Sequence, residues 1–293
     1  MKISAVINTY NEERNLERCL KSLKGFADEI VVVDMGSSDN TKEIAEKHDA
    51  KIYSFEYTRF VEPARNFAVS KAKNQWVLVL DADEELPSSL GKKLIQIAKE
   101  NEADFVEIPR KNIIFGKWIN HSRWWPDCLV RFFKKNKVHF SDKIHVPPTT
   151  EGKGFLLEAK EEWAIVHHNF QSISQFVERL NRYTDIQSDE LVKKGYSFGW
   201  RDLVVKPAEE FFSRFFSGEG YKDGIHGLSL ALLQAFSELV LYLKVWEKGG
   251  FKQEELKNWP AVFLKKINEF LYWQAKVSQN GFKRMLLKLK AKI

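Results

Sequence analysis

The first hundred residues alternate short apolar, often β-branched runs with stretches whose apolar positions recur every three or four residues. Ile3-Ser4-Ala5-Val6-Ile7 reads as a strand, after which Asn11 is expected to cap a helix carrying Leu16, Cys19, Leu20 and Leu23 on one face. Glu29-Ile30-Val31-Val32-Val33-Asp34 predicts a second buried strand. Ser37 to Thr41 then supplies a turn and a cap for a helix ending near His48. Lys51 to Phe55 predicts a third strand, Pro63 opens a helix through Lys73, and Gln75 to Asp81 is the clearest strand of the chain. Ser88 to Asn101 returns to helical spacing. This alternation predicts an α/β fold built on a largely parallel central sheet.

Between Asp104 and His168 the pattern is mixed, with Phe105 to Ile108 and Leu129 to Phe133 strand-like, as in an α+β completion of the same sheet. Beyond Ser172 the chain turns helical, at Ser174 to Lys194 and, past Gly218, Gly220, Gly224 and Gly227, at Leu228 to Trp246. We therefore expect a catalytic domain over residues 1–170 and a helical region over residues 171–293 that associates with a membrane or pairs with a second copy. Leu228 to Trp246 approaches the ~20 residues of a bilayer span. Gln234, Glu238 and Lys244 are costly at a bilayer centre, which favours a buried or interfacial helix.

Composition, at 44% hydrophobic and 29% charged residues, is that of an ordered globular protein. Cys19 and Cys128 are the only cysteines, and Met1 to Asn8 enter a strand rather than a leader, so a reducing, cytoplasmic setting is expected. The net charge of +6 is uneven: residues 248–293 hold eleven Lys and Arg against Glu254, Glu255 and Glu269. Cations interleaved with Trp259, Trp273 and Phe282 suit an anionic membrane surface, whereas no recognised motif points to nucleic acid.

Three strand ends carry polar side chains toward one rim. Asp81-Ala82-Asp83 follows an apolar strand and precedes Glu84 and Glu85. Carboxylates at the C-terminal end of a parallel strand face the crevice where such sheets bind ligands, and two of them one residue apart can reach one hard cation. An acidic turn capping the next helix is the alternative. Asp34 leads into Gly36-Ser37-Ser38-Asp39, where a carboxylate can accept hydrogen bonds from a base or a ribose, or simply hold a tight turn. Thr9-Tyr10-Asn11-Glu12 lines the same edge.

These segments, with Ala64-Arg65-Asn66-Phe67-Ala68, resemble family 2 glycosyltransferases of the GT-A fold over about the first ninety residues. Trp125-Pro126-Asp127, Arg131-Phe132-Phe133 and Gly220-Tyr221-Lys222-Asp223-Gly224 are similar to the bacterial branch that glycosylates lipopolysaccharide core and related surface glycans. The resemblance implies a Rossmann-like nucleotide-sugar-binding domain, an inverting reaction, a Mg2+ or Mn2+ cofactor, and a nucleotide-sugar donor, with UDP favoured. It implies an acceptor that is lipid-linked or a surface glycan. It places Thr9, Tyr10, Asn11, Glu12, Asp34, Gly36, Ser37, Asp39, Arg65, Asp81 and Ala82 at the donor, and Asp83 and His167 at the metal. Trp124, Trp125 and Arg131 are expected at the acceptor.

An inverting displacement needs a base on the sugar face opposite the leaving group. Asp127, behind Trp124-Trp125-Pro126, is the first candidate, since aromatic neighbours can desolvate a carboxylate. Related bacterial enzymes often carry a His-Glu pair where this chain reads His145-Val146. Glu151 from a shifted loop is therefore the second candidate, and a degenerate, membrane-bound glycan-binding scaffold the non-enzymatic alternative. A dinucleotide-dependent oxidoreductase is disfavoured because no Gly-x-Gly-x-x-Gly turn follows the first strand. A nucleotidyltransferase would be expected to show a Gly-rich, Arg-containing loop near the N-terminus, and none is present.

Overall fold

The computed structural model describes residues 1–142 and 146–278. The chain forms two compact units: residues 1–114 with 125–169, and residues 115–124 with 170 onward.

The first unit opens with β1 (Ile3–Thr9), α1 (Leu16–Ser22), β2 (Glu29–Asp34), α2 (Thr41–Lys47), β3 (Lys51–Ser54), α3 (Glu62–Lys71), β4 (Trp76–Asp81), β5 (Glu84–Glu85), α4 (Ser88–Glu100) and β6 (Phe105–Ile114). After β7 (Lys117–Trp118), which belongs to the second unit, come β8 (Asp127–Lys134), β9 (Val138–His139), β10 (Thr149–Thr150), β11 (Gly154–Leu156) and β12 (Ile165–Phe170). The sheet order is β3-β2-β1-β4-β8-β6-β12-β5. The first four strands are parallel; β8 then runs antiparallel to both β4 and β6, and β12 antiparallel to β5. The parallel half matches the expected sheet, and the antiparallel half is the expected completion.

All seven residues of β1 are buried, which is why it reads as one unbroken run. Its alternation separates two cores: Ile3, Ala5 and Ile7 pack with Leu16, Leu20, Leu90 and Leu94, while Val6 packs with Ala64 and Ala68. The register sets Thr9 beside Asp34 and Asn8 beside Asp81, so three strand ends share one edge. The expected Asn11 cap is corrected. Asn11 adopts φ +54°, and α1 begins only at Leu16, after Asn15.

The second unit contains α5 (Ile173–Lys193), α6 (Asp202–Phe212), α7 (Ile225–Lys248) and α8 (Trp259–Val277). Ser172 caps α5 by accepting from the Gln175 N–H. The Gly220 to Gly227 segment is held by close packing: a Cβ on Gly227 would lie 1.8 Å from the Gly220 carbonyl oxygen. Buried Asp223 accepts from the backbone N–H of His121 at 3.0 Å and contacts His121 Nδ1 at 3.1 Å. α7 has the length and mean hydropathy, 1.5, of a membrane span, with a third of its most apolar window buried. The cationic stretch from Lys283 to Lys290, and Lys143 to His145, lie outside the described residues.

Candidate active site

Asp81 ends β4, and the tight turn through Ala82 and Asp83 leads directly into β5. Asp81 is bound by two guanidiniums, Arg65 Nη2 at 2.9 Å and Arg131 Nη2 at 2.6 Å. Burial alone would raise its pKa, yet the charges of Arg131 and Arg65 hold it well below the ordinary carboxylate range. The backbone N–H of Asp81 donates to Glu84 Oε2 at 2.9 Å, which closes the turn.

Glu84 is fully buried and accepts from Arg131 at 3.0 Å and Arg110 at 3.2 Å through one oxygen. Arg110 also grips Asp127, with Nη2 and Nε both donating to Oδ2. Burial works against the charge of Arg131, but Asp81 and Glu84 more than offset it and stabilise the protonated guanidinium. Alternate positions of β6 bring Arg110 and Asn112 to this cluster, and Asn112 Nδ2 donates to Asp127 Oδ2 at 3.3 Å.

On β12, His167 Nδ1 lies 2.7 Å from Asn112 Oδ1, and its Nε2 lies 3.5 Å from Asp83 Oδ2. Side-chain contacts thus run from Asp81 through Arg131, Glu84, Arg110, Asp127, Asn112 and His167 to Asp83, two residues further along the same turn. Among the described residues no group of three or more His, Cys, Asp and Glu side chains could hold a metal. The Asp83 carboxylate and the His167 ring supply an oxygen and a nitrogen of the types that bind Mn2+, 3.5 Å apart.

Asp34 is buried and accepts from the N–H groups of Gly36 (φ +89°) and Ser37 at 3.1 and 3.2 Å. That is the turn-holding alternative, with Lys42 Nζ at 3.3 Å as a further partner. Asn11 Oδ1 accepts from Ser38 N–H, Thr41 Oγ1 accepts from Glu12 N–H, and Asp39 accepts from Glu13 N–H, so these residues knit the loops after β1 and β2 together. Tyr10 stacks on Tyr57 with ring centroids 4.1 Å apart. Thr9 and Ala82 are buried.

Other expectations fare differently. Arg65 is 9% exposed, and its partner is Asp81. Arg131 is 2% exposed and committed to Asp81 and Glu84, so it orients Asp81 instead of presenting itself to an acceptor. Trp124 is half-buried under the Arg214 guanidinium, and Trp125, also half-buried, precedes a cis peptide to Pro126. Asp127 is paired with the Arg110 guanidinium.

Glu151 is displaced from the cluster. Its N–H donates to Lys137 carbonyl oxygen beyond the end of β8, where Lys134 lies opposite Trp76, the first residue of β4. Asp81 is at the other end of that strand, roughly 17 Å away at about 3.3 Å per residue. The sequence reading names Glu84 without a role and does not name Arg110 and Asn112. For the last two, polar residues two apart continuing the face of buried Val106 and Ile108 were the available signal.

Comparison with known proteins adds to this geometry. The model of the family described as "Glycosyl transferase family 2" matches residues 4–156. A glycosyltransferase of Rickettsia conorii is 30% identical, over 85% of this chain and 91% of the relative. The lipopolysaccharide core biosynthesis glycosyltransferase LpsC of Rhizobium meliloti is 24% identical, over 86% of this chain and 94% of its own length. The crystal structure of S. aureus TarS residues 1–349 aligns with a TM-score of 0.46 at 17% identity, covering 99% of this chain and 88% of that one.

Proposed function

The chain belongs to glycosyl transferase family 2, and we propose that it is an inverting, metal-dependent glycosyltransferase that takes a sugar from a nucleotide-sugar donor, UDP-linked by preference. The observation that carries this reading is the meeting of Asp83 with His167 beside Asp81, at the C-terminal edge of the parallel strands.

In this reading Asp83 and His167 hold Mg2+ or Mn2+, which when bound offsets the charge building on the departing diphosphate. Asp81, fixed by Arg65 and Arg131, meets the donor's ribose or sugar. The loops carrying Tyr10, Asn11, Glu12, Gly36, Ser37 and Asp39 surround the nucleoside. Asp127 takes the proton of the acceptor hydroxyl as that oxygen bonds to the anomeric carbon and the bond to diphosphate breaks. Its pairing with Arg110 fixes the orientation of its carboxylate. Glu151, at the opposite end of the strands, has no part in this step.

The acceptor in this reading is lipid-linked or a surface glycan, in line with the LpsC relative's name. The second unit offers a way to approach such an acceptor. Trp259, Phe263 and Ile267 form an i, i+4, i+8 stripe on α8, each about half exposed, with Lys257 and Lys265 exposed beside them. We place that stripe against the anionic inner face of the cytoplasmic membrane.

Isothermal calorimetry with UDP tests the donor site. Binding that appears with Mn2+ and disappears with EDTA is expected; UDP affinity indifferent to the cation would remove the metal from the account.

A further inference from the structure

Glu84 is fully buried and stands between two guanidiniums. Its Oε1 accepts from Arg131 Nη2 at 3.0 Å and from Arg110 Nη1 at 3.2 Å, while its Oε2 accepts from the backbone N–H of Asp81 at 2.9 Å. Each guanidinium also holds a second carboxylate. Arg131 donates to Asp81 Oδ2, and Arg110 donates through Nε and Nη2 to Asp127 Oδ2. The contacts of Asp81 and those of Asp127 therefore meet at Glu84. All three of its partners are donors, so a carboxylate satisfies them where an amide would turn its NH2 toward an N–H. Charge argues the same way. Burial works against the protonated guanidinium of Arg110, and Glu84 leads the charges that more than offset it. Without Glu84, two cations brought to one point of the interior would face each other as like charges.

We infer that Glu84 is a positioning residue: through Arg131 it sets Asp81 on the donor side and through Arg110 it sets Asp127 on the acceptor side, so that the two carboxylates keep one separation. The inference rests on the reading of Asp127 as the base and adds to it the residue that registers the base to the donor. Backbone pairing does not do this. The register between β4 and β8 runs from Trp76 opposite Lys134 to Leu78 opposite Phe132, three residues short of Asp81. Arg110 and Asp127 are cross-strand partners on β6 and β8, and Asp81 reaches that pair through Arg131 and Glu84. Buried ion pairs often stabilise a fold no more than apolar side chains of similar volume, and here they fix a geometry.

The test reads the arrangement first, by 13C NMR of protein labelled at the aspartate carboxyl carbons, free of metal and substrate, with Asp127 assigned through Asp127→Asn. Glu84→Gln should displace the Asp127 resonance, although Glu84 reaches Asp127 only through Arg110. It should leave in place that of Asp28, which accepts from the Ile3 N–H at the other end of β1. An unmoved Asp127 resonance, or displacement of both alike, overturns the inference. Turnover is read second, as UDP released from UDP-glucose, UDP-galactose and UDP-N-acetylglucosamine. Glu84→Gln should lower it about 10- to 100-fold, and in the Asp127→Asn background should cost no more than about two-fold. Additive losses would show that Glu84 does not act through Asp127. Arg110→Lys keeps a charge that can reach one carboxylate but not both, and should reproduce the Glu84→Gln results. If Glu84→Gln does not fold, Arg110→Lys decides by the same readings, and failure of both to fold assigns Glu84 to the fold alone and overturns the positioning role. Undiminished turnover in Asp127→Asn would remove the base reading, while a displaced Asp127 resonance would leave the positioning of its carboxylate standing. The resonance decides alone where no UDP-sugar is turned over.

Discussion

Arg131 and Asp81 meet at 2.6 Å, with the arginine side chain 2% exposed, so the carboxylate at the end of the fourth parallel strand is oriented from inside the protein. The same guanidinium holds Glu84 at 3.0 Å, and Glu84 in turn accepts the Asp81 N–H. One buried cation therefore sets both the side chain and the backbone of the turn that presents Asp83.

Replacing Arg131 with Met should destabilise the first unit by about 3–5 kcal/mol, since two buried carboxylates would lose their shared partner. The pH dependence should change with it. Asp81 has a depressed pKa in the folded state, so on acidification the unfolded chain takes up its proton first, near the ordinary value of about 3.9. The unfolded state then binds more protons, and this contribution, fully present above that pH, is lost progressively below it. Urea midpoints between pH 3 and 7 should fall steeply in the wild type and less steeply in Arg131→Met. Parallel curves would mean that the pair is not what holds Asp81 ionised.

Asp83→Ala should remove most cation-dependent UDP binding, because in the proposed site Asp83 is one of two protein ligands. Calorimetry in the presence of Mn2+ checks it, and unchanged affinity would move the cation elsewhere.

Asp127→Asn keeps the shape of the side chain and loses the proton acceptor. UDP and Mn2+ affinity should stay near wild type while turnover falls roughly 100-fold or more. Glu151→Gln should leave turnover unaltered, since Glu151 lies beyond the opposite end of the strands. Loss of turnover in Glu151→Gln alone would reverse the assignment.

Trp259→Ser combined with Phe263→Ser and Ile267→Ser should abolish flotation with anionic vesicles, and high salt should weaken flotation of the wild type. Equal flotation of both proteins would exclude this stripe as the contact. Wild-type protein that stays unbound and elutes as a dimer would assign the face to a second copy.

The parallel half of the sheet was legible because β1, β2 and β4 are largely apolar runs, the last two ending in Asp34 and Asp81, and Asp81 and Asp83 are near neighbours in sequence. The antiparallel half hid its contribution. Arg110 reaches Asp127 across 17 residues and His167 reaches Asn112 across 55, contacts set by strand register that no local pattern encodes. Glu151 was misleading for the same reason: β9 and β10 form a two-stranded ladder that carries the chain back to Lys137, away from the strand ends. Asn11 has the residue type of a cap, but its left-handed backbone lets it serve the loop after β2 instead.

Release of nucleoside diphosphate from a panel of nucleotide sugars, with Mn2+ and with EDTA, tests the central claim most directly. The account predicts that at least one donor, a UDP-sugar first of all, is turned over with Mn2+, and that EDTA or Asp83→Ala abolishes the release. No release from any donor, or release that survives both EDTA and Asp83→Ala, would contradict it.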